Sequence, residues 1–218
     1  MKHEMLENID AVIFDLDGSL VDSMWLWREI DIEYLGKFGV SLPEGLQSNI
    51  EGMSFHETAL YFKEHFPIED TLDQIKADWN RMAWDKYTNE VPLKPGVADF
   101  LKACRESGIK LGIATSNSRE LVENIIRVHK LQDYFSSIVT GSDVEKGKPA
   151  PDVYLTAAGQ LQVLPKRCLV FEDILPGIQA GKNAGMRVCA VEDAYSNTVI
   201  EEKKALADYY IESYTELL

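Results

Sequence analysis

Hydrophobic and polar residues alternate with two different periods along the chain. The apolar run at residues 11–14 is bounded by turn residues, which predicts a short buried strand. Apolar positions then recur at helical spacing, which predicts consecutive helices over about 23–38, 43–50, 54–66 and 71–87. Ser54 and Glu57 form a capping-box pattern at the start of the third helix. This part of the chain therefore resembles a small helical bundle that follows a single strand.

From about residue 93 the pattern changes to short apolar runs separated by helical segments. The predicted strands cover residues 109–114, 137–140, 168–171, 187–191 and 208–211. The predicted helices cover residues 96–107, 119–130, 151–161 and 176–184. Strands that alternate with helices predict a parallel sheet covered on both faces. The fold class is therefore α/β, with a helical insert between the first strand and the rest of the core.

Composition and charge narrow the range of partners. The chain has 218 residues and a formal net charge of −14, which argues against a nucleic acid or an anionic membrane surface as partner. The first residues lack the apolar core of a secretion signal, and no run approaches membrane-spanning length. Cys104, Cys168 and Cys189 lie in apolar segments and are expected to be reduced core thiols. We expect a cytoplasmic protein, with a monomer favoured.

Two carboxylates and a glycine follow the first predicted strand directly. Asp15 and Asp17 are two residues apart, so in extended backbone both side chains point the same way. Gly18 permits a tight turn and leaves room for a ligand to approach the backbone. Aspartate also caps helices, so these two residues alone do not establish a site.

Further polar residues follow other predicted strands. Residues 115–117 (Thr-Ser-Asn) end one strand, Glu172 and Asp173 end another, and Lys148 lies in a loop before a helix. In open α/β sheets the ligand crevice lies beyond the carboxyl ends of the strands. Helix capping explains any one of these clusters but gives no reason for all of them together. We therefore expect a shared site at this edge of the sheet.

The predicted site contains enough negative charge to need a cation. Two carboxylates about 4 Å apart repel by about 4 kcal/mol at an effective dielectric near 20. Ligands that are all oxygen favour Mg²⁺ over zinc, and Mg²⁺ often shares a phosphate oxygen with its protein ligands. Lys148, the Thr115 hydroxyl and backbone N–H groups near Leu16 and Ser116 are candidates to bind the phosphate. A carboxylate that attacks phosphorus would form an aspartyl-phosphate.

These motifs, in this order and spacing, resemble those of the haloacid dehalogenase superfamily of phosphohydrolases. The stretch 15–22 is similar to the first motif, Thr115 to the second, Lys148 to the third, and the Glu172–Asp173 pair to the fourth. The resemblance implies that Asp15 is the nucleophile and that Asp17 is the general acid and base. It implies that Lys148 steadies the phosphate. It implies that Mg²⁺ is held by Asp15, the backbone carbonyl of Asp17 and Asp173, with Glu172 close by or also a ligand. The candidate phosphate-binding residues are Leu16, Ser116 and Asn117.

The helical insert is similar to the cap of the β-phosphoglucomutase-like branch. The resemblance implies a Rossmann-like parallel-sheet core at 1–19 and 89–218, with an inserted helical-bundle cap at 20–88. Sugar-phosphate mutases of that branch carry a histidine where this chain has Trp27, and an arginine where it has Phe55. Both residues are expected to face the crevice and to contact substrate. Ile174 stands where the family often has serine.

The sequence thus predicts a magnesium-dependent phosphatase that acts on a small phosphorylated metabolite through an aspartyl-phosphate. The alternatives are a phosphosugar mutase of the β-phosphoglucomutase type and a catalytically weak regulatory protein that binds a phosphometabolite. A hydrolytic dehalogenase is disfavoured, because Asp17 supplies an acid that a halide leaving group does not need. Outside the site, the charged run at 201–204 is expected to form an exposed helix face.

Overall fold

The computed structural model describes residues 4–218, so the first three residues of the predicted core segment 1–19 lie outside it. The strands are β1 Ala11–Phe14, β2 Lys110–Thr115, β3 Phe135–Thr140, β4 Cys168–Glu172, β5 Arg187–Val191 and β6 Tyr209–Ile211. The helices are α1 Met24–Gly36, α2 Leu46–Ile50, α3 Phe55–His65, α4 Leu72–Asn89, α5 Val97–Glu106, α6 Arg119–Val128, α7 Asp152–Leu161, α8 Leu175–Asn183 and α9 Ile200–Leu206.

The strands form one parallel sheet in the order β3-β2-β1-β4-β5-β6. This arrangement confirms the predicted fold class. Strand β1 lies between β2 and β4, with Phe14 paired to Ile113 on one side and to Phe171 on the other. Because all three strands run the same way, the residues that follow them meet at one edge of the sheet.

The central strand is buried on both faces, as expected for a parallel sheet with helices on each side. Val12 and Phe14 point into the larger apolar cluster, and Ala11 and Ile13 point into the other. The Phe14 ring stacks on Phe171 at 5.3 Å between centroids. Phe14 is fully buried, so the packing of β1 fixes the position of the residues directly after it.

The four helices α1–α4 are inserted between β1 and α5, as the hydrophobic pattern predicts. The two connections to this insert run side by side, because Val21 bridges Leu93 in antiparallel fashion. The Asp22 N–H donates to the Pro92 carbonyl at 3.0 Å. The predicted capping box of Ser54 and Glu57 is present at the start of α3. The boundaries 20–88 for a cap domain stay a prediction.

The three cysteines lie in the core. Cys104, Cys168 and Cys189 are free thiols and are buried, as predicted.

Within residues 4–218, none of the helices combines the length and the apolar character that membrane crossing requires.

The expectation of an exposed charged face at 201–204 is wrong for one residue. Glu201, Glu202 and Lys204 are exposed, but Lys203 is completely buried. Its Nζ donates to the Val191 carbonyl at 2.8 Å and to Ser196 Oγ at 3.0 Å. A lysine stem can pass through apolar packing when its ammonium group finds acceptors at the far end. Burial lowers the pKa of Lys203, and the charges of Asp173 and Asp193 oppose that shift.

Replacement of Phe14 by alanine should strongly destabilise the fold. The substitution removes a ring packed against Phe100, Phe171 and Tyr214, and leaves a cavity beneath the site. We expect the free energy of unfolding, measured by urea titration, to fall by about 3–5 kcal/mol. The control Leu164→Ala truncates a side chain that is 61% exposed and should change this free energy by less than about 0.5 kcal/mol. Equal losses in the two variants would contradict the packing described for β1.

Candidate active site

The predicted site residues meet at the carboxyl edge of the sheet. Asp15 follows β1, and its N–H donates to the Phe171 carbonyl of β4 at 2.9 Å. Glu172 is the last residue of β4 and is fully buried, with Asp173 directly after it. Thr115 is the last residue of β2 and is also buried. The structure therefore brings together side chains that are far apart in sequence.

Three buried carboxylates and one buried lysine form the floor of the site. Asp15, Glu172 and Asp173 each offer a carboxylate oxygen, and these oxygens lie within 4.8 Å of one another. Lys148 Nζ donates to Asp15 Oδ1 at 2.6 Å and also to Glu172 Oε1. Tyr154 donates its hydroxyl to Glu172 at 3.0 Å. We call Asp15, Glu172, Asp173 and Lys148 the acidic cluster.

Burial and the repulsion between like charges raise the pKa values of Asp15 and Asp173. Burial raises the pKa of Asp15 to about 8, and the charge of Lys148 opposes that shift. Burial also raises the pKa of Asp173 well above its ordinary value, with further increases from the charges of Glu172 and Asp15. Because one ammonium group faces three carboxylates, the cluster has an excess of negative charge. A bound cation would relieve it.

The oxygen atoms around Asp173 fit a hard divalent cation. Within residues 4–218, Asp173 Oδ2 is buried and has no hydrogen-bond partner, whereas Oδ1 accepts from Ser19 Oγ at 2.9 Å. Gly18 has φ of 81° and lies so close that a Cβ there would collide with the Asp173 carboxylate. A buried, unpaired carboxylate oxygen is costly unless a ligand satisfies it. The donor set is made of oxygens alone, which suits magnesium or a similar ion.

Asp17 lies apart from this cluster and is held by other partners. Its carboxylate accepts hydrogen bonds from Ser23 Oγ at 2.5 Å and from Trp27 Nε1 at 3.2 Å. It also accepts from Asn117 Nδ2 at 2.8 Å and from the Tyr87 hydroxyl. The side chain of Asp17 therefore does not join the candidate metal ligands Asp15, Glu172 and Asp173.

Tyr87 was not singled out by the sequence pattern. It is fully buried near the end of α4, and its hydroxyl contacts both Asp17 and Asn117 Nδ2, the latter at 2.8 Å. Burial and the Asp17 charge raise the pKa of Tyr87, which keeps the hydroxyl protonated as a donor. In the sequence Tyr87 is one of many apolar helix positions, so the periodicity of α4 indicates core packing and nothing more.

A cavity of about 190 Å³ lies above the acidic cluster, between the sheet edge and the helical insert. The predicted residues that line it are Asp15, Asp17, Trp27, Phe55, Thr115, Ser116, Asn117 and Lys148. Trp27 and Phe55 meet edge to face, with 6.0 Å between ring centroids. The insert contributes more apolar than polar residues to the wall.

The insert is docked against the core around this cavity. The Phe55 N–H donates to the Ser116 carbonyl at 2.9 Å, and Ser116 Oγ donates to the Gly52 carbonyl at 3.3 Å. The Gly147 N–H, next to Lys148, donates to Glu57 Oε1 at 3.3 Å. These contacts place the loop before α3 directly over the site.

Comparison with known proteins agrees with the fold. Residues 12–191 match the family of haloacid dehalogenase-like hydrolases. A phosphorylated carbohydrates phosphatase of Thermotoga maritima is 34% identical over 179 residues, which is 82% of each chain. Hexitol phosphatase B of Escherichia coli K12 is 28% identical over 213 residues, or 95% of this chain and 93% of the relative. The crystal structure of CbbY from Rhodobacter sphaeroides in complex with phosphate superimposes with a TM-score of 0.85, at 29% identity and 96% coverage of each chain.

The chain belongs to the haloacid dehalogenase-like hydrolase family. This confirms the resemblance seen in the motifs, and the phosphatase relatives support a phosphoric monoester hydrolase. The fold of β-phosphoglucomutase from Clostridium difficile is also similar, with a TM-score of 0.81 at 23% identity. Members of the family generally use a divalent metal, and the buried acidic cluster provides ligands for one.

Binding of a divalent cation should stabilise the fold through the acidic cluster. At Mg²⁺ concentrations about 100 times Kd, mass action contributes about 2.7 kcal/mol, which corresponds to a rise in Tm of about 5–10 °C for a chain of this size. In Asp173→Asn the rise should shrink to less than about 2 °C. The matched control Asp133→Asn changes an exposed residue and should keep the full shift. A full Mg²⁺-induced shift in Asp173→Asn, measured by calorimetry, would contradict the proposed ligand set.

Proposed function

We propose that this protein is a magnesium-dependent phosphatase that hydrolyses a small phosphomonoester through an aspartyl-phosphate on Asp15. The observation that carries this proposal is the arrangement of two carboxylates around one cavity. Asp15 lies on the floor beside Lys148, and Asp17 lies at a separate position where cap and core side chains hold it. Asp15 can thus act as nucleophile while Asp17 acts as general acid and base.

In the first step an oxygen of Asp15 attacks phosphorus and the bond from phosphorus to the leaving oxygen breaks. Lys148 holds the other Asp15 oxygen in place and offsets negative charge on the phosphoryl group. Asp17, in its protonated form, donates its proton to the leaving oxygen. In the second step Asp17 accepts a proton from water, the resulting hydroxide attacks phosphorus, and the bond to Asp15 breaks. Inorganic phosphate is released, Asp15 is again a free carboxylate and Asp17 again carries its proton.

The phosphoryl oxygens would be bound by the Thr115 hydroxyl, Lys148 and the backbone N–H groups of Leu16 and Ser116. Asn117 would act by fixing Asp17, to which it donates at 2.8 Å. Mg²⁺, held by Asp15, Asp173 and the Asp17 carbonyl with Glu172 alongside, would supply the positive charge that the acidic cluster lacks.

We infer that residues 20–88 act as a cap over the 1–19 and 89–218 core. The hydrogen bonds from Phe55 to Ser116 and from Gly147 to Glu57 support this division, because they join the insert to the core at the rim of the cavity. A cap in this position excludes bulk water from the intermediate. Trp27 and Phe55 would then contact the leaving group.

The mutase alternative is less well supported than the phosphatase. The indole N–H of Trp27 is only a donor, so Trp27 cannot relay a proton as a histidine could. Phe55 offers no charge to hold a second phosphate. The regulatory alternative is less well supported, because the residues that we propose as nucleophile, acid and phosphate-binding lysine all line one cavity.

The class of partner and the cellular location that we propose rest on net charge and on the state of the cysteines. A net charge of −14 favours a small phosphorylated metabolite over a nucleic acid or an anionic membrane as partner. Buried free thiols support a cytoplasmic location. The oligomeric state that we propose is a monomer.

Asp15→Asn should abolish catalysis, because an amide cannot replace the carboxylate nucleophile. Release of inorganic phosphate from p-nitrophenyl phosphate with Mg²⁺ should fall by at least about 10³-fold. The control Asp133→Asn should retain full activity. Undiminished turnover by Asp15→Asn would refute the mechanism. Conversion of β-glucose 1-phosphate to glucose 6-phosphate by the wild type, faster than phosphate release, would favour the mutase.

A further inference from the structure

A buried acid lines the cavity on the side of the insert. Asp31 on α1 is only 6% exposed, and Gln47 Nε2 donates to its Oδ2 at 2.7 Å. Both residues line the cavity. Burial raises the pKa of Asp31 to about 7, against the opposing effect of the Gln47 hydrogen bond. Neither residue takes part in the hydrolysis described above.

A buried donor without a partner lines the same cavity. Trp79 on α4 is 3% exposed, and its Nε1 has no hydrogen-bond partner within residues 4–218. Leaving a buried N–H unpaired costs about 1–3 kcal/mol. Trp79 packs edge to face on Phe55, with 5.5 Å between ring centroids. A bound molecule with an acceptor group would satisfy this donor.

The position of Asp31 on α1 gives its separation from the reacting centre. Trp27 donates to Asp17, the proposed acid, and Asp31 follows Trp27 by one helical turn, or about 6 Å along α1. A leaving group of one or two carbons does not span that distance, whereas the chain of a sugar or sugar alcohol does. A side chain at the position of Asp31 would therefore contact the far end of the leaving group.

The chemistry of the subsite favours a neutral ligand with several hydroxyl groups. Asp31 accepts a hydrogen bond from a hydroxyl and repels a carboxylate or a second phosphate. Trp79 donates to a hydroxyl oxygen, and the aromatic walls of Trp27 and Phe55 pack on C–H groups. Arg28 also lines the cavity but is exposed to solvent, which screens its charge.

We infer that Asp31, Gln47 and Trp79 form a subsite that selects a neutral polyol leaving group by binding its hydroxyl groups. This inference rests on the proposed phosphatase function and deepens it, because it names the class of alcohol that is released. A site built to bind hydroxyl groups discriminates strongly against an analogue that lacks them, since its buried polar groups are then left unpaired.

The test compares two esters of equal chain length, glucitol 6-phosphate and n-hexyl phosphate, with Mg²⁺. The wild type should show kcat/KM at least about tenfold higher for glucitol 6-phosphate. Asp31→Ala and Trp79→Phe should each lower kcat/KM for glucitol 6-phosphate by about tenfold or more, and for n-hexyl phosphate by less than about threefold. Trp79→Phe keeps the aromatic packing and removes only the N–H donor with part of the ring.

A matched control is Glu33→Gln, which removes an exposed charge from the same helix and should change neither value. Equal kcat/KM for the two esters in the wild type would contradict the proposed subsite but not the proposed phosphatase activity. Equal losses of kcat/KM on both esters in Asp31→Ala and Trp79→Phe would do the same. A fall in kcat/KM of Asp31→Ala for uridine 5′-phosphate but not for glucitol 6-phosphate would also contradict the subsite. If the wild type releases phosphate from none of these esters, the proposed function fails and this inference fails with it.

Discussion

The confinement of three carboxylates with one lysine in a buried pocket is the interaction on which the rest of the structure depends. Each pair of like charges about 4 Å apart costs about 4 kcal/mol at an effective dielectric near 20, and burial adds to that cost. Lys148 offsets part of it by pairing with Asp15 and Glu172. The remaining negative charge makes the pocket suitable for a cation and, through the cation, for a phosphate. Stability is thus given up locally to create a reactive centre.

The surrounding backbone is adapted to keep these carboxylates close together. A side chain at Gly18 would collide with Asp173, and one at Gly177 would collide with Glu172. The fully buried Lys203 reaches the same region from α9, since it donates to Ser196, which in turn donates to the Asp173 carbonyl at 2.8 Å. The acidic cluster is therefore supported from several elements that contribute no carboxylate of their own.

Much of the core of the site could be predicted from the sequence, because its carboxylates come directly after apolar runs. A parallel sheet gathers strand ends at one edge, so Asp15, Thr115 and Asp173 were expected at the same edge once the strands were recognised. Lys148 lies in a loop, and only its motif indicated its role. The order of the strands and the pairing of β1 with β2 and β4 come from the structure.

The residues that the sequence did not reveal are those whose surroundings depend on how the insert docks. Tyr87, Asp31 and Trp79 are ordinary helix positions in the hydrophobic pattern, and nothing local distinguishes a side chain that faces the cavity from one that packs within the bundle. The prediction for Lys203 was wrong for a similar reason, since charge alone predicts exposure and its acceptors, the Val191 carbonyl and Ser196 Oγ, lie outside its own helix. Tertiary contacts of this kind leave no periodic signal.

The central claim is that the acidic cluster binds one divalent ion next to the nucleophile. Crystals of the wild-type protein soaked in Mn²⁺ should give one strong anomalous difference peak in contact with carboxylate oxygens of both Asp15 and Asp173. A peak bound elsewhere, or no peak in the acidic cluster at a saturating Mn²⁺ concentration, would contradict the account.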